Sequence, residues 1–244
     1  MILVDDATPI WTLTISAEPR RNALTRAMVA DLVATVDRFE ADDTAAVLRL
    51  RGAGDVAFCA GGDLKEMATD DSGSPFVPVM PALYARVLRS TKPVIAVLNG
   101  DAVGGGFELA LCCDVVLARS GARVGLPEAR IGAAARYGAA LLAREIGPHR
   151  ALAMALFGDL IPIEEVPGVA LRIVPAADLD AAADESAARL AELPRPAVVA
   201  TKRLVRGSHE LPLDELVELP EVLEAIHSDE RRQAVRRYAP DPVK

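Results

Sequence analysis

Residues 92–118, KPVIAVLNGDAVGGGFELALCCDVVLA, constrain the fold more tightly than any other part of the chain. Val94–Leu98 is a short apolar run with Pro93 at its mouth and Asn99-Gly100 at its end, the marks of a buried strand. Gly104, Gly105 and Gly106 then open residues 107–113, which are helix-length and apolar apart from Glu108. The first turn of a helix has free backbone N–H groups and a partial positive charge. Glycines there let another molecule come close to the backbone. The pattern therefore predicts a strand, a turn and a helix, with a carboxylate beside a natural oxyanion-binding point. Taken alone, the same residues also fit a plain glycine turn with Glu108 as a partner of the helix dipole. Leu109 stands where a dinucleotide fingerprint needs its last glycine, and neither a Walker loop nor a Gly-x-Ser-x-Gly elbow is present.

A second signal lies upstream. Residues 57–67, AFCAGGDLKEM, follow the apolar run 46–50 and the glycines Gly52 and Gly54. Here too a strand ends in small residues, Ala60-Gly61-Gly62, before a helical start at Asp63. A third segment, residues 124–132 (VGLPEARIG), sets Glu128 directly after Pro127 at a plausible helix start. Two backbone-donor sites and two isolated glutamates form a constellation suited to chemistry beside a carbonyl.

In these residues the chain resembles the crotonase family, the enoyl-CoA hydratase/isomerase superfamily. The matching pieces run in order: 18–25 (EPRRNALT), 57–67, 92–118, 124–132, 155–158, 173–175 and 200–202. The resemblance implies an α/β fold, a spiral of β-β-α units with a C-terminal helical region. It implies an oxyanion hole made by the N–H groups of Gly62 and Gly105, each worth about 3–4 kcal/mol by analogy with other such sites. Glu108 and Glu128 match the two catalytic glutamates of the hydratases, Glu108 activating water and Glu128 protonating the α carbon. Seating in an apolar helix, and the like charge of the partner, should raise at least one of the two pKa values. Arg21, Ala23, Ala60 and Lys65 fall where the family contacts the nucleotide and pantetheine of coenzyme A, which enters as part of the substrate thioester and not as a prosthetic group. A homotrimer, or a hexamer of two trimers, is expected from the family alone. The resemblance, with both glutamates present, implies an enoyl-CoA hydratase that adds water reversibly in a syn sense to a 2-enoyl-CoA to give the 3-hydroxyacyl-CoA; the alternatives are double-bond isomerisation with a single glutamate and acyl-CoA binding without turnover.

Departures from the family pattern bear on that choice. After Gly132 the chain carries Ala133-Ala134-Ala135-Arg136-Tyr137-Gly138 in place of a Pro- and Gly-rich turn, and is one residue shorter. Arg136 could meet a substrate carboxylate, but is read as a solvated side chain. The closing segment 228–240 lacks the family's Glu-Gly and Phe pattern and carries Arg231, Arg232, Arg236 and Arg237 instead. His149, His209 and His227 fall in no motif.

Composition narrows the remaining classes. Of the 244 residues 51% are hydrophobic, enough for a large core, and no apolar run is long enough to span a bilayer. The formal net charge of -8 argues against nucleic acid as a partner. The first residues carry Asp5 and Asp6 and no basic stretch, so they do not read as a signal peptide, and a cytoplasmic enzyme is expected. Cys59, Cys112 and Cys113 read as small core residues of a reducing compartment, and no Cys/His spacing points to a metal.

Periodicity predicts strands at Ile10–Ile15, 46–50, Val94–Leu98 and 115–118, and an amphipathic helix over 25–39 whose inner face holds Val29, Leu32, Val33, Val36 and Phe39. Residues 69–81, with three prolines, read as a loop that in a crotonase walls the acyl pocket. Beyond Pro148 the pattern is helical, over 150–157, 179–193, 197–205, 213–226 and 229–238. The expected division is a core over 1–190 and a helical region over 191–244.

Overall fold

The computed structural model describes residues 1–68, 79–208 and 211–238. The chain divides into two compact units, Met1–Ala188 and Arg189–Lys244. The first unit is built on two sheets. It begins with strands β1 (Ile2–Asp5) and β2 (Ile10–Ile15), then helix α1 (Arg26–Ala41), β3 (Val47–Gly52), β4 (Ala57–Cys59), α2 (Leu64–Ala68) and α3 (Val79–Arg89). Next come β5 (Val94–Leu98), β6 (Asp101–Val103), α4 (Gly105–Cys112), β7 (Val115–Arg119), β8 (Arg123–Gly125), a 3-10 turn (Pro127–Ile131), α5 (Arg136–Ile146) and α6 (Pro148–Phe157). Strands β9 (Ile161–Pro162) and β10 (Arg172–Val174) and helix α7 (Leu179–Ala191) follow.

One sheet runs β1-β2-β3-β5-β7-β10 and the other β4-β6-β8-β9. Within the first, β2, β3, β5, β7 and β10 are parallel to their neighbours and β1 is antiparallel. Within the second, β4, β6 and β8 are parallel and β9 closes the edge antiparallel. The chain therefore visits the sheets alternately: β3 then β4, β5 then β6, β7 then β8, each pair followed by helix. That is a spiral of β-β-α units, and it emerges although no internal sequence repeat announces it.

Local sequence explains the elements. In β2 every second residue, Trp11, Leu13 and Ile15, is buried, as a strand with one face on the core requires. All five residues of β5 are buried, which fits a central parallel strand. Helix α1 starts where the Thr25 side chain accepts from the Met28 N–H at 3.2 Å, and Val29, Leu32, Val36 and Phe39 face the core as predicted. Its C-terminal end is closed by the buried Lys92, whose ammonium donates to the carbonyls of Phe39 and Asp42 at 2.7 and 2.6 Å. Asn22, with φ 57°, and Asn99 are both buried and both reach the Ala57 carbonyl, tying the chain around β4.

Three expectations change. Residues 79–81, read as the end of a loop, form the first turn of α3. Proline lacks an N–H, and a helix's first turn needs none, so Pro81 is accommodated there. The rest of that predicted loop, 69–78, lies outside the described residues. The helix expected over 213–226 is two helices, α9 (Leu213–Val217) and α10 (Pro220–His227), because Pro220 begins a new helix instead of continuing the old one. Residues 136–138, read as part of an altered loop, open α5. The second unit also holds α8 (Arg195–Gly207) and α11 (Asp229–Tyr238), and Ala200, Val222 and Ala225 form its own small core. Among the described residues no helix is long and apolar enough to cross a membrane.

Candidate active site

The topology of the smaller sheet builds the site. Strands β4, β6 and β8 are parallel neighbours, so the residues following each emerge at the same edge. After β4 come Ala60-Gly61-Gly62, after β6 Gly104-Gly105, and after β8 Leu126-Pro127-Glu128. Carboxyl ends of parallel strands are where ligands bind in α/β folds, since loops there are free to diverge.

The two glycine segments lie against each other. A side-chain carbon on Gly61 would stand 3.0 Å from the Gly105 nitrogen. The N–H groups of Gly62 and Gly105 donate to no acceptor among the described residues, whereas their neighbours are engaged. Gly104 N–H donates to Gly125 O at 2.9 Å, and Asp63 N–H to Leu24 O at 2.9 Å. Gly104 has φ 54° and ψ -128°, a conformation open to glycine, and it turns the chain from β6 into α4. At Gly106 a side-chain carbon would fall 2.1 Å from the Cys59 carbonyl, so α4 packs directly on the β4 backbone only because this residue is glycine.

The segment 21–24 brackets the β4 turn. Ala60 N–H donates to Arg21 O at 3.0 Å and Leu24 N–H to Gly61 O at 2.7 Å. Arg21 and Ala60 are thereby paired, and Ala23 sits next in line, 8% exposed. Lys65 is exposed in the first turn of α2. Asp63 caps that turn, accepting from Lys65 and Glu66 N–H at 3.0 and 3.3 Å, and is ion-paired with Arg20. Burial pushes the Asp63 carboxyl up, but the two N–H donors and Arg20 together hold it below its usual range. The four residues expected around coenzyme A thus lie along one bracketed stretch beside Gly62.

Glu108 and Glu128 live in opposite surroundings. Glu108, 7% exposed on the otherwise apolar α4, is surrounded by donors. Its Oε1 accepts from Tyr137 N–H at 2.9 Å and Gly138 N–H at 2.8 Å, and its Oε2 lies 3.2 Å from the Tyr84 hydroxyl. Glu128 is half-buried in the 3-10 turn, and its Oε2 has no hydrogen-bond partner among the described residues. Desolvation by burial raises its carboxyl pKa to about 7, its own backbone N–H acts the other way, and the charge of Glu108 adds to the rise. A side-chain carbon on Gly104 would be 2.9 Å from Glu128 Oε1, so Glu128 lies over the turn that delivers Gly105.

Sequence reasoning missed the donors around Glu108. Tyr84 is buried in α3, and a lone tyrosine on the inner face of an amphipathic helix looks like any core aromatic. Tyr137 and Gly138 act through backbone N–H groups at the first turn of α5, which no side-chain pattern reports; the only available signal was the glycine at 138.

A family model described as enoyl-CoA hydratase/isomerase matches residues 7–240. The chain belongs to the enoyl-CoA hydratase/isomerase family. It is similar to 2,3-dehydroadipyl-CoA hydratase of Escherichia coli (strain K12), 34% identical over 215 residues that make up 87% of this chain and 84% of that protein. It is 34% identical to carnitinyl-CoA dehydratase of Proteus mirabilis over 201 residues, 81% of this chain and 77% of that one. Its fold superposes on the enoyl-CoA hydratase of Bacillus anthracis with a TM-score of 0.91 at 30% identity, covering 97% of this chain and 95% of that one. This crotonase-family member thus shares its fold over nearly its whole length with solved relatives.

Proposed function

We propose that the protein adds water reversibly across the double bond of a 2-enoyl-CoA thioester, giving the 3-hydroxyacyl-CoA. The observation that carries this is the contrast between the two carboxyl groups beside the paired glycine turns. Three donors fix the Glu108 carboxylate in place, which suits a group that holds and orients a water. Glu128 Oε2 has no hydrogen-bond partner among the described residues and its carboxyl is raised to about 7, which suits a proton donor near neutrality.

In this mechanism the thioester oxygen accepts from the N–H groups of Gly62 and Gly105. Water, held by Glu108, adds its oxygen to the β carbon and passes a proton to the Glu108 carboxylate. The α carbon then carries enolate character, with its charge on the oxygen between the two N–H donors. Glu128 gives its proton to the α carbon, both additions coming from one side. The cycle closes when Glu108 releases its proton and Glu128 regains one from solvent. Arg21, Ala23, Ala60 and Lys65 are assigned to the coenzyme A moiety, the cations serving its phosphates. A homotrimer, or two trimers stacked as a hexamer, is the proposed assembly, to be checked by sedimentation.

The test is loss of the conjugated enoyl thioester absorbance with purified protein and with Glu108→Ala and Glu128→Ala. Hydration requires turnover that both variants lose. Isomerase activity surviving Glu108→Ala would replace this assignment with the one-glutamate reaction. Thioester binding by calorimetry without any turnover would replace it with a binding role.

A further inference from the structure

The Tyr84 hydroxyl stands between the two halves of the proposed machinery. It is 2.9 Å from the carbonyl of Gly105, whose N–H is assigned to the oxyanion hole, and 3.2 Å from Glu108 Oε2. Its ring is packed at 5.3 Å from that of Tyr137, whose N–H holds the other Glu108 oxygen. A side-chain carbon on Gly105 would fall 2.9 Å from this hydroxyl and 3.0 Å from Met80 Cε, so α3 closes directly on the turn.

Counting lone pairs on Glu108 gives the hydroxyl a task. Oε1 already accepts two N–H donors, which occupies both of its lone pairs. A proton taken from water must therefore go to Oε2. One lone pair of Oε2 faces Tyr84, and the other is left for water. We infer that Tyr84 is the positioning residue of the water-activating carboxylate: its single hydroxyl proton, shared between Glu108 Oε2 and Gly105 O, fixes the free lone pair of Oε2 toward the substrate and ties that orientation to the oxyanion-hole turn. When Oε2 gains the water proton, the hydroxyl donates to Gly105 O alone, and it returns to Oε2 when Glu108 is ionised again. No proton leaves Tyr84 at any stage.

The surroundings keep the phenol in this role. Burial, and after it the charge of Glu108, push the Tyr84 hydroxyl well above its usual pKa. Among the described residues the other ionisable groups of the cluster are Cys59 on β4, Cys112 on α4, Tyr137 on α5 and, beside Glu108, Glu128 on the 3-10 turn. Burial pushes the Cys59 thiol up to about 12, so it stays neutral. Burial raises the Glu128 carboxyl to about 7.

This inference rests on the hydratase assignment, and the experiment separates the two. Tyr84→Phe removes the hydroxyl and leaves the ring against Tyr137. Loss of one hydrogen bond to a charged group predicts a fall in kcat of about tenfold, with KM within about twofold. The glutamate carboxyl 13C resonance that disappears in Glu108→Gln should move in Tyr84→Phe at fixed pH, a readout of the lost hydrogen bond that needs no turnover. A kcat within about twofold of wild type and an unmoved Glu108 resonance would overturn the role of Tyr84. Absence of turnover in the wild type would overturn the hydratase assignment, while the carboxyl resonance still decides whether the hydroxyl governs Glu108.

Discussion

Glu108 Oε1 lies 2.8 Å from the backbone nitrogen of Gly138, so a side chain of α4 closes the first turn of α5. The carboxylate assigned to water activation is thereby also a helix cap, accepting two of the N–H groups that a helix start leaves without partners. Chemistry and local stability share one side chain, and suitable substitutions separate them.

Glu108→Ala removes the acceptor of both N–H groups and should destabilise the first unit by about 1–2 kcal/mol, the usual loss for a helix cap. Glu108→Gln keeps an amide oxygen that accepts both and should stay within about 0.5 kcal/mol of wild type. Both should lower hydration at least about a hundredfold. Urea unfolding beside the enoyl absorbance assay reads the two effects. Equal stability of the Ala and Gln variants would show that the cap contributes nothing.

Gly138→Ala tests the same contact from the other side. The added carbon would lie 2.7 Å from Glu108 Cγ and 2.9 Å from Leu126 Cδ2, so the buried carboxylate must shift. Overpacking of this kind costs about 1–3 kcal/mol, and a displacement near 1 Å at a catalytic group can cost about a hundredfold in rate. The expected result is a folded protein with kcat reduced at least about tenfold. Unaltered kcat would detach Glu108 from the chemistry.

Glu128 predicts a pH dependence of both rate and stability. As a proton donor raised to about 7, it should make kcat/KM fall as pH rises through about 7, and Glu128→Gln should not restore turnover. For stability the folded carboxyl holds its proton where the unfolded one, near the ordinary glutamate value of 4.5, has lost it. The unfolded state then binds fewer protons, so stability is full below 4.5 and declines as pH rises to about 7. With solvent screening of a half-buried group, the decline is about 1–2 kcal/mol. Glu128→Gln should abolish that part of the decline, seen as a stability gain over wild type in urea at pH 8 that vanishes at pH 4.

Asn22 should be among the most sensitive structural positions. Its Oδ1 accepts from Ala17 N–H at 3.0 Å, and its Nδ2 donates to Ala53 O at 2.9 Å and Ala57 O at 2.7 Å. Asn22→Ala leaves buried groups without partners and forces alanine into the left-handed region, together about 3–5 kcal/mol. Thermal unfolding should show a large drop in Tm. A Tm within a few degrees of wild type would mean that the β4 bracket tolerates loss of this side chain.

The glycine turns and the two glutamates could be singled out in the chain because the chemistry proposed for them demands particular residue types in short segments. A turn that exposes N–H groups needs small residues, and Gly104 and Gly106 are dictated by φ and by contact with β4. A carboxylate on an apolar helix stands out against its neighbours. Strands β2 and β5 and helix α1 were likewise legible from period and burial. Strands β4, β6 and β8 were harder, since three residues carry no period of their own. The start of α3 was concealed by Pro81, which reads as a breaker although a first turn tolerates it.

What the linear order of residues determined by itself was the set of candidate parts: two glycine turns, Glu108, Glu128 and the cations near residues 21 and 65. What only the three-dimensional arrangement decided was their division of labour. Hydrogen-bond donors from α3 and α5, more than twenty residues away on either side, gather on Glu108, and among the described residues none reaches Glu128 Oε2. Proton affinity depends on desolvation and on donors within about 3 Å, and residues distant in the chain come that close only when the parallel strands of the small sheet bring their ends to one edge.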